Sequence, residues 1–217
     1  MAPKKNKKRL TPAQRKQNSN RTTWIAIGAI AAVVITFAIL AASGILGNST
    51  NSSPEPIAPT QVLLETTAGN ITIDLRTDKP ITASNFINLV NAGEYDGTIF
   101  YRTIADFMIQ GGIGASAQDV PSIIDEIGTN NRNTNYTVAM ANRGPNTASS
   151  EFFINVADNG QKFPGFNSNY AVFGTVVEGK DVVDAIATAP VTENPNSPGE
   201  FSVPVDPVKI LRATVLP

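Results

Sequence analysis

Two stretches decide how this chain is read: residues 139–155, AMANRGPNTASSEFFIN, and residues 100–112, FYRTIADFMIQGG. In the first, Asn142, Gly144, Pro145 and Asn146 supply the chemistry of a turn, which runs directly into the aromatic strand of Phe152 and Phe153. In the second, a short apolar run, a break at Ala105-Asp106 and a second apolar run put a single cation, Arg102, among strand residues. By composition alone Arg102 reads as an arginine snorkelling from a sheet wall, its stem lying along apolar neighbours.

Working outward, further short strand-like runs occur at 62–65, 71–75, 137–140, 171–177 and 208–213, separated by Gly, Asn and Pro clusters. Residues 62–65 and 71–75 are expected to form a hairpin through Thr67-Ala68-Gly69-Asn70. Phe86, Leu89 and Val90 recur at helical spacing, so 81–92 reads as a helix, with Thr82 or Ser84 as N-cap and Gly93 closing it. A second helix reads at 180–187. Many short strands, two helices and little βαβ alternation predict a mainly β fold, a largely antiparallel barrel or sandwich closed by helices. No repeat of 20 to 50 residues is present.

The amino-terminal quarter has a different character. Eight of the 17 basic residues fall within the first 21 positions, and the first acid is Glu55. Between them, residues 24–46 (WIAIGAIAAVVITFAILAASGIL) carry no charge, about 35 Å of helix against a hydrocarbon core of about 30 Å. The expectation is a basic cytoplasmic tail (1–23), a transmembrane signal anchor (24–46), a Ser, Asn and Pro rich linker (47–60) and an extracytoplasmic domain (61–217). A cleaved signal peptide is the competing reading, because small residues at 41–44 suit a peptidase, but the apolar run exceeds the usual h-region of about 7 to 15 residues. A nucleic-acid arm is the less economical reading of a basic run lying against such a span.

The formal net charge of −1 therefore sums two unlike regions, and the nine basic residues beyond Arg21 face all 18 acids. With no Cys and no His the chain has no disulfide, no thiol nucleophile, no zinc finger and no Ser-His-Asp triad. Gly111-Gly112-Ile113-Gly114 is followed by neither a helix pattern nor a phosphate-binding lysine, and no two carboxylates stand at a defined glycosidase separation. No cofactor and no metal site is expected.

Taken together, FMIQGG with Arg102 upstream, MANRGPNTASSEFFIN and the later NYAVFGTV at 169–176 resemble the signature stretches of the cyclophilin family of peptidyl-prolyl cis-trans isomerases. The likeness extends over essentially all of 61–217. It implies an eight-stranded antiparallel closed barrel capped by two α-helices, here preceded by the transmembrane helix, and rotation about X-Pro bonds as the activity. The same resemblance implies that Phe107, Met108 and Phe153 line a proline recess and that Arg102 is the catalytic donor. It further implies that Gln110 bonds peptide backbone and that the main chain of Asn142, beside Ala141, pairs with the extended peptide.

Three positions depart from the pattern. Glu151 stands where many members have Gln and is expected to bias the site against acidic peptides. Tyr170 stands where many eukaryotic members have His. The Trp of those members has no clear counterpart, with Phe163 or Phe166 as its replacement, so cyclosporin is expected to bind weakly. The expected partners are proline-containing peptides and unfolded exported proteins, with a membrane-tethered peptide-binding module of low activity as the alternative.

Overall fold

The computed structural model describes residues 57–114 and 119–217. The tail and span expected within 1–46 lie outside the described residues. Among the described residues, no helix is long and apolar enough to cross a membrane.

The chain opens with β1 (Gln61–Thr66) and β2 (Gly69–Leu75), paired antiparallel with Thr66 opposite Gly69. The predicted hairpin is thus present, with a tight connection of Thr67 and Ala68. Helix α1 (Pro80–Asn91) follows, and then come β3 (Arg102–Ile104), β4 (Met108–Gly111), β5 (Thr137–Met140) and β6 (Phe152–Asn155). Two one-turn helices, α2 (Asn159–Lys162) and α3 (Phe166–Asn169), precede β7 (Val172–Glu178) and α4 (Lys180–Ala187). Strands β8 (Val191–Glu193) and β9 (Phe201–Pro204) make a separate two-stranded ribbon before β10 (Ile210–Val215).

Eight strands form one antiparallel sheet in the order β10-β1-β2-β7-β5-β6-β4-β3. The expected closed barrel is corrected here: no ladder joins β3 to β10, so the sheet is open and curled. Its two ends meet only at a seam ahead of β3. There Ile99 bridges Lys209, the Phe100 amide donates to Val208 O at 3.0 Å and the Ile210 amide donates to Thr98 O at 2.8 Å.

The N-cap of α1 also differs from expectation. Lys79 occupies the cap, Pro80 begins the helix, and neither Thr82 nor Ser84 is outside it. Proline suits this position because its missing N–H would have no intrahelical partner. The free amides that follow are satisfied from a distant loop: Glu126 accepts from the Ile81 amide at 3.2 Å and from the Thr82 amide and hydroxyl at 2.7 Å each. An anionic carboxylate at a helix N-terminus also meets the positive end of the helix dipole. At the other end, Gly93 takes φ +72°, and the amides of Gly93 and Glu94 donate to Val90 O and Leu89 O, the paired bonds of a Schellman close. Gly179 is required at the entry to α4, where φ is +79° and a Cβ would lie 2.0 Å from Asn70 O.

Period-2 alternation divides the central strands between two apolar clusters. Ile109, Val138, Met140, Phe152, Ile154 and Phe173 join the main core with Phe86, Tyr95 and Phe100. Their chain neighbours Met108, Ala139, Phe153 and Val172 form a smaller cluster with Phe107, Phe166 and Tyr170. The first cluster is the interior under α1 and α4. The second backs a recess on the opposite face.

Candidate active site

The recess encloses about 230 Å³ and is lined by Arg102, Phe107, Met108, Gln110, Ala141, Asn142, Phe153, Phe166 and Tyr170. Nine of the ten residues singled out from the sequence therefore meet in one place. The tenth, Glu151, lies beside it, lining a smaller pocket of about 150 Å³ that also includes Gln110, Ala141, Asn142, Arg143, Thr147 and Ser149.

Antiparallel register explains the convergence. Gln110 lies opposite Arg102 on one side and Phe153 on the other, and Phe153 in turn lies opposite Ala139. Met108 and Gln110 share a face because they are two residues apart on β4. Phe166, from α3, supplies the lid of the apolar wall: its ring lies 5.7 Å from Phe107, 5.9 Å from Phe153 and 4.6 Å from Tyr170. Phe163 packs edge-on behind Phe107 at 5.2 Å and is 42% exposed, so of the two candidate phenylalanines it is Phe166 that faces the recess.

A buried asparagine network holds the walls. Asn159 donates to Phe107 O at 2.7 Å and to Asn155 Oδ1 at 2.6 Å. Asn131 and Asn133 donate to Tyr170 O at 2.8 and 3.1 Å. Asn155 links the two halves by donating to Asn133 Oδ1 at 3.2 Å. Directional bonds to the carbonyls of Phe107 and Tyr170 fix the recess more closely than apolar contact alone. Sequence reasoning did not single out this set, although its Asn-rich stretch 130–135 is visible in the sequence.

The polar rim is equally ordered. Tyr101 donates its hydroxyl proton to Glu151 Oε2 at 2.5 Å, Gln110 donates to the same carboxylate at 3.1 Å and also bonds the Tyr101 hydroxyl, and Arg143 pairs with Glu151 Oε1 at 3.0 Å. Burial first, and then the bond to Glu151, holds the Tyr101 phenol well above its ordinary range. The carboxylate expected to repel acidic peptides is thus engaged by Tyr101, Gln110 and Arg143.

Arg102 carries the one charge on the recess lining. Its Nε and Nη2 donate to the two oxygens of Glu200 at 2.8 and 2.7 Å, a bidentate pair with the side chains 26% and 25% exposed. Its Nη1 points to Met108 Sδ at 3.9 Å and the guanidinium lies 5.8 Å from the Phe107 ring centre. The sequence reading missed Glu200, which lies in a Pro, Gly and Ser rich stretch with no signal linking it to Arg102.

Hydrogen bonding from Arg102, ahead of a smaller opposing effect of burial, holds the Glu200 carboxyl down at about 2. A depressed carboxyl contributes stability that is present above its unfolded value, near 4.5, and lost as pH falls through about 2. Between those limits the wild type should therefore lose more stability than Glu200→Gln. Urea midpoints at pH 6 and pH 2.5 check this, and parallel losses in the two proteins would contradict it.

Comparison with known proteins agrees with this geometry. Residues 61–215 match the family model described as cyclophilin type peptidyl-prolyl cis-trans isomerase. A peptidyl-prolyl cis-trans isomerase of Streptomyces antibioticus is 45% identical over 166 residues, covering 71% of this chain and 98% of that protein. Peptidyl-prolyl cis-trans isomerase A of Dickeya dadantii is 39% identical over 199 residues, 86% of this chain and 96% of that protein. A crystal structure of a Cryptosporidium parvum cyclophilin type isomerase superposes with a TM-score of 0.64 at 24% identity, covering 74% of this chain and 99% of that one. A match over nearly the whole described body, with relatives this similar, means that the chain belongs to the cyclophilin type peptidyl-prolyl cis-trans isomerase family.

Proposed function

We propose that this chain catalyses cis-trans rotation about X-Pro peptide bonds, taking the proline ring into the recess between Phe107, Met108, Phe153 and Phe166. The observation that carries the reading is a recess with an apolar wall of Phe107, Met108, Phe153 and Phe166 and one fixed guanidinium, that of Arg102, on its lining. Rotation must overcome amide resonance, a barrier of about 18–20 kcal/mol, and no covalent bond is made or broken. A site accelerates it by favouring the twisted amide over both planar forms. In the twisted state the prolyl nitrogen regains its lone pair, which Arg102 meets with an N–H, and water is kept from competing by the aromatic walls.

Gln110 and the main chain at Asn142 are assigned to the flanking peptide, whose extended backbone pairs along this rim. Arg102 stays charged at any working pH, and its pairing with Glu200 raises its pKa further, so no catalytic base titrates. The direct test is exchange NMR on a proline-containing peptide. Line broadening that depends on the protein supports the reading, whereas binding without exchange would leave a peptide-binding module. Phe166 on the recess wall, in place of a Trp, supports weak inhibition by cyclosporin.

The site of action we assign is the outer side of a membrane, with unfolded exported proteins as clients. This rests on the uncharged run 24–46, the basic residues before it and the absence of acids until Glu55. In intact cells, added protease should release the body from 61 onward while the full chain pellets with carbonate-washed membranes. A full chain that stays in the carbonate supernatant would remove the anchor.

A further inference from the structure

Resting on the isomerase reading of this recess, we propose that Glu200 is a positioning residue that aims the Arg102 guanidinium at the twisting amide. The geometry divides the guanidinium in two. The Nε and Nη2 edge is occupied by the carboxylate at 2.8 and 2.7 Å, and Nη1 is left beside Met108 on the recess wall. A planar fork gripped along one edge keeps its remaining donors in a fixed plane, whereas an unpaired arginine has several rotamers.

The carboxylate is itself built in. Glu200 Oε1 accepts from Ser202 Oγ at 2.6 Å and from Asn194 Nδ2 at 3.4 Å, and Asn194 also donates to Ser202 Oγ at 3.4 Å. Ser202 is fully buried, the Asn194 amide donates to Glu200 O at 2.7 Å, and β9 packs against β3, the strand that bears Arg102. The β8–β9 ribbon is thereby a bracket from a distant part of the chain to the catalytic strand. A latch meant to release Arg102 would not be tied at so many points, so the arrangement favours alignment over inhibition.

The test is a double-mutant cycle on the full chain in detergent, using exchange NMR at subsaturating and saturating peptide. With Arg102 present, Glu200→Gln should lower kcat about 10- to 100-fold with little change in peptide Kd. In the Arg102→Ala background the same change should have no further effect, and Glu200→Asp should recover part of the loss. The Arg102 Nε–H signal, slow to exchange in the wild type, should broaden or vanish in Glu200→Gln while the amide spectrum stays dispersed. A Glu200→Gln rate equal to or above wild type, or an equal loss in both backgrounds, would overturn the proposal. A wild type with no exchange activity but a protected Nε–H overturns the isomerase reading instead, leaving Glu200 merely an anchor for the arginine.

Discussion

Arg102→Ala is expected to lower kcat/KM about 10²- to 10³-fold, the loss typical when a preorganised donor to the transition state is removed. Phe107, Met108, Phe153 and Phe166 would still enclose the recess, so proline should bind nearly as before. The loss should therefore fall on kcat, which distinguishes a group acting in the transition state from one that merely holds the ground state. Arg102→Lys keeps the charge but has no fork to match Glu200 in bidentate fashion, and it should recover only a minor part. Exchange NMR at saturating peptide checks both variants. A kcat within threefold of wild type in Arg102→Ala would remove the guanidinium from the mechanism.

The largest expected effect on stability comes from Phe86→Ala. Phe86 projects from α1 with no exposed surface and touches three rings at once, with centroid distances of 5.0 Å to Tyr95, 5.4 Å to Phe152 and 4.9 Å to Phe173. Removing it deletes the transfer free energy of a buried aromatic and leaves a hole that its neighbours, on the turn after α1 and on β6 and β7, cannot fill, about 3–5 kcal/mol. Tyr95 would also be loosened, although its hydroxyl is held to Ser150 O at 3.0 Å. The urea midpoint should fall with an unchanged slope. A loss under about 1 kcal/mol would mean that α1 can shift to close the gap.

Much of this was legible in the sequence, and the part that was not has a common cause. The hairpin of β1 and β2 and the helix at Lys180–Ala187 are announced by local pattern. The recess residues are announced by two long motifs whose strands happen to be register partners. What escaped depends on partners far along the chain: Glu126 capping α1 from 44 and 45 residues away, and Glu200 gripping Arg102 from 98 residues away. The open seam belongs with these, since strand alternation is the same whether or not the first and last edges of a sheet are zipped together. Thr82 looked like a cap because it can accept a bond locally, yet Pro80 had already begun the helix.

The split of β4 and β6 between two apolar clusters bears on how such a protein can change over generations. Met108 and Phe153 line the recess, while Ile109 and Phe152, one step along, pack in the interior. Both recess positions are themselves buried, at 2% and 4% exposed, so replacements there that conserve apolar volume can reshape the recess at small cost to folding. An inserted or deleted residue exchanges the two faces at a stroke, bringing the polar Gln110 inward and turning the interior residues Ile109 and Phe152 outward. Variation in these strands is therefore free in spelling and forbidden in length, and lineages that diverge in peptide preference should do so by replacement here and by insertion only in the connecting loops.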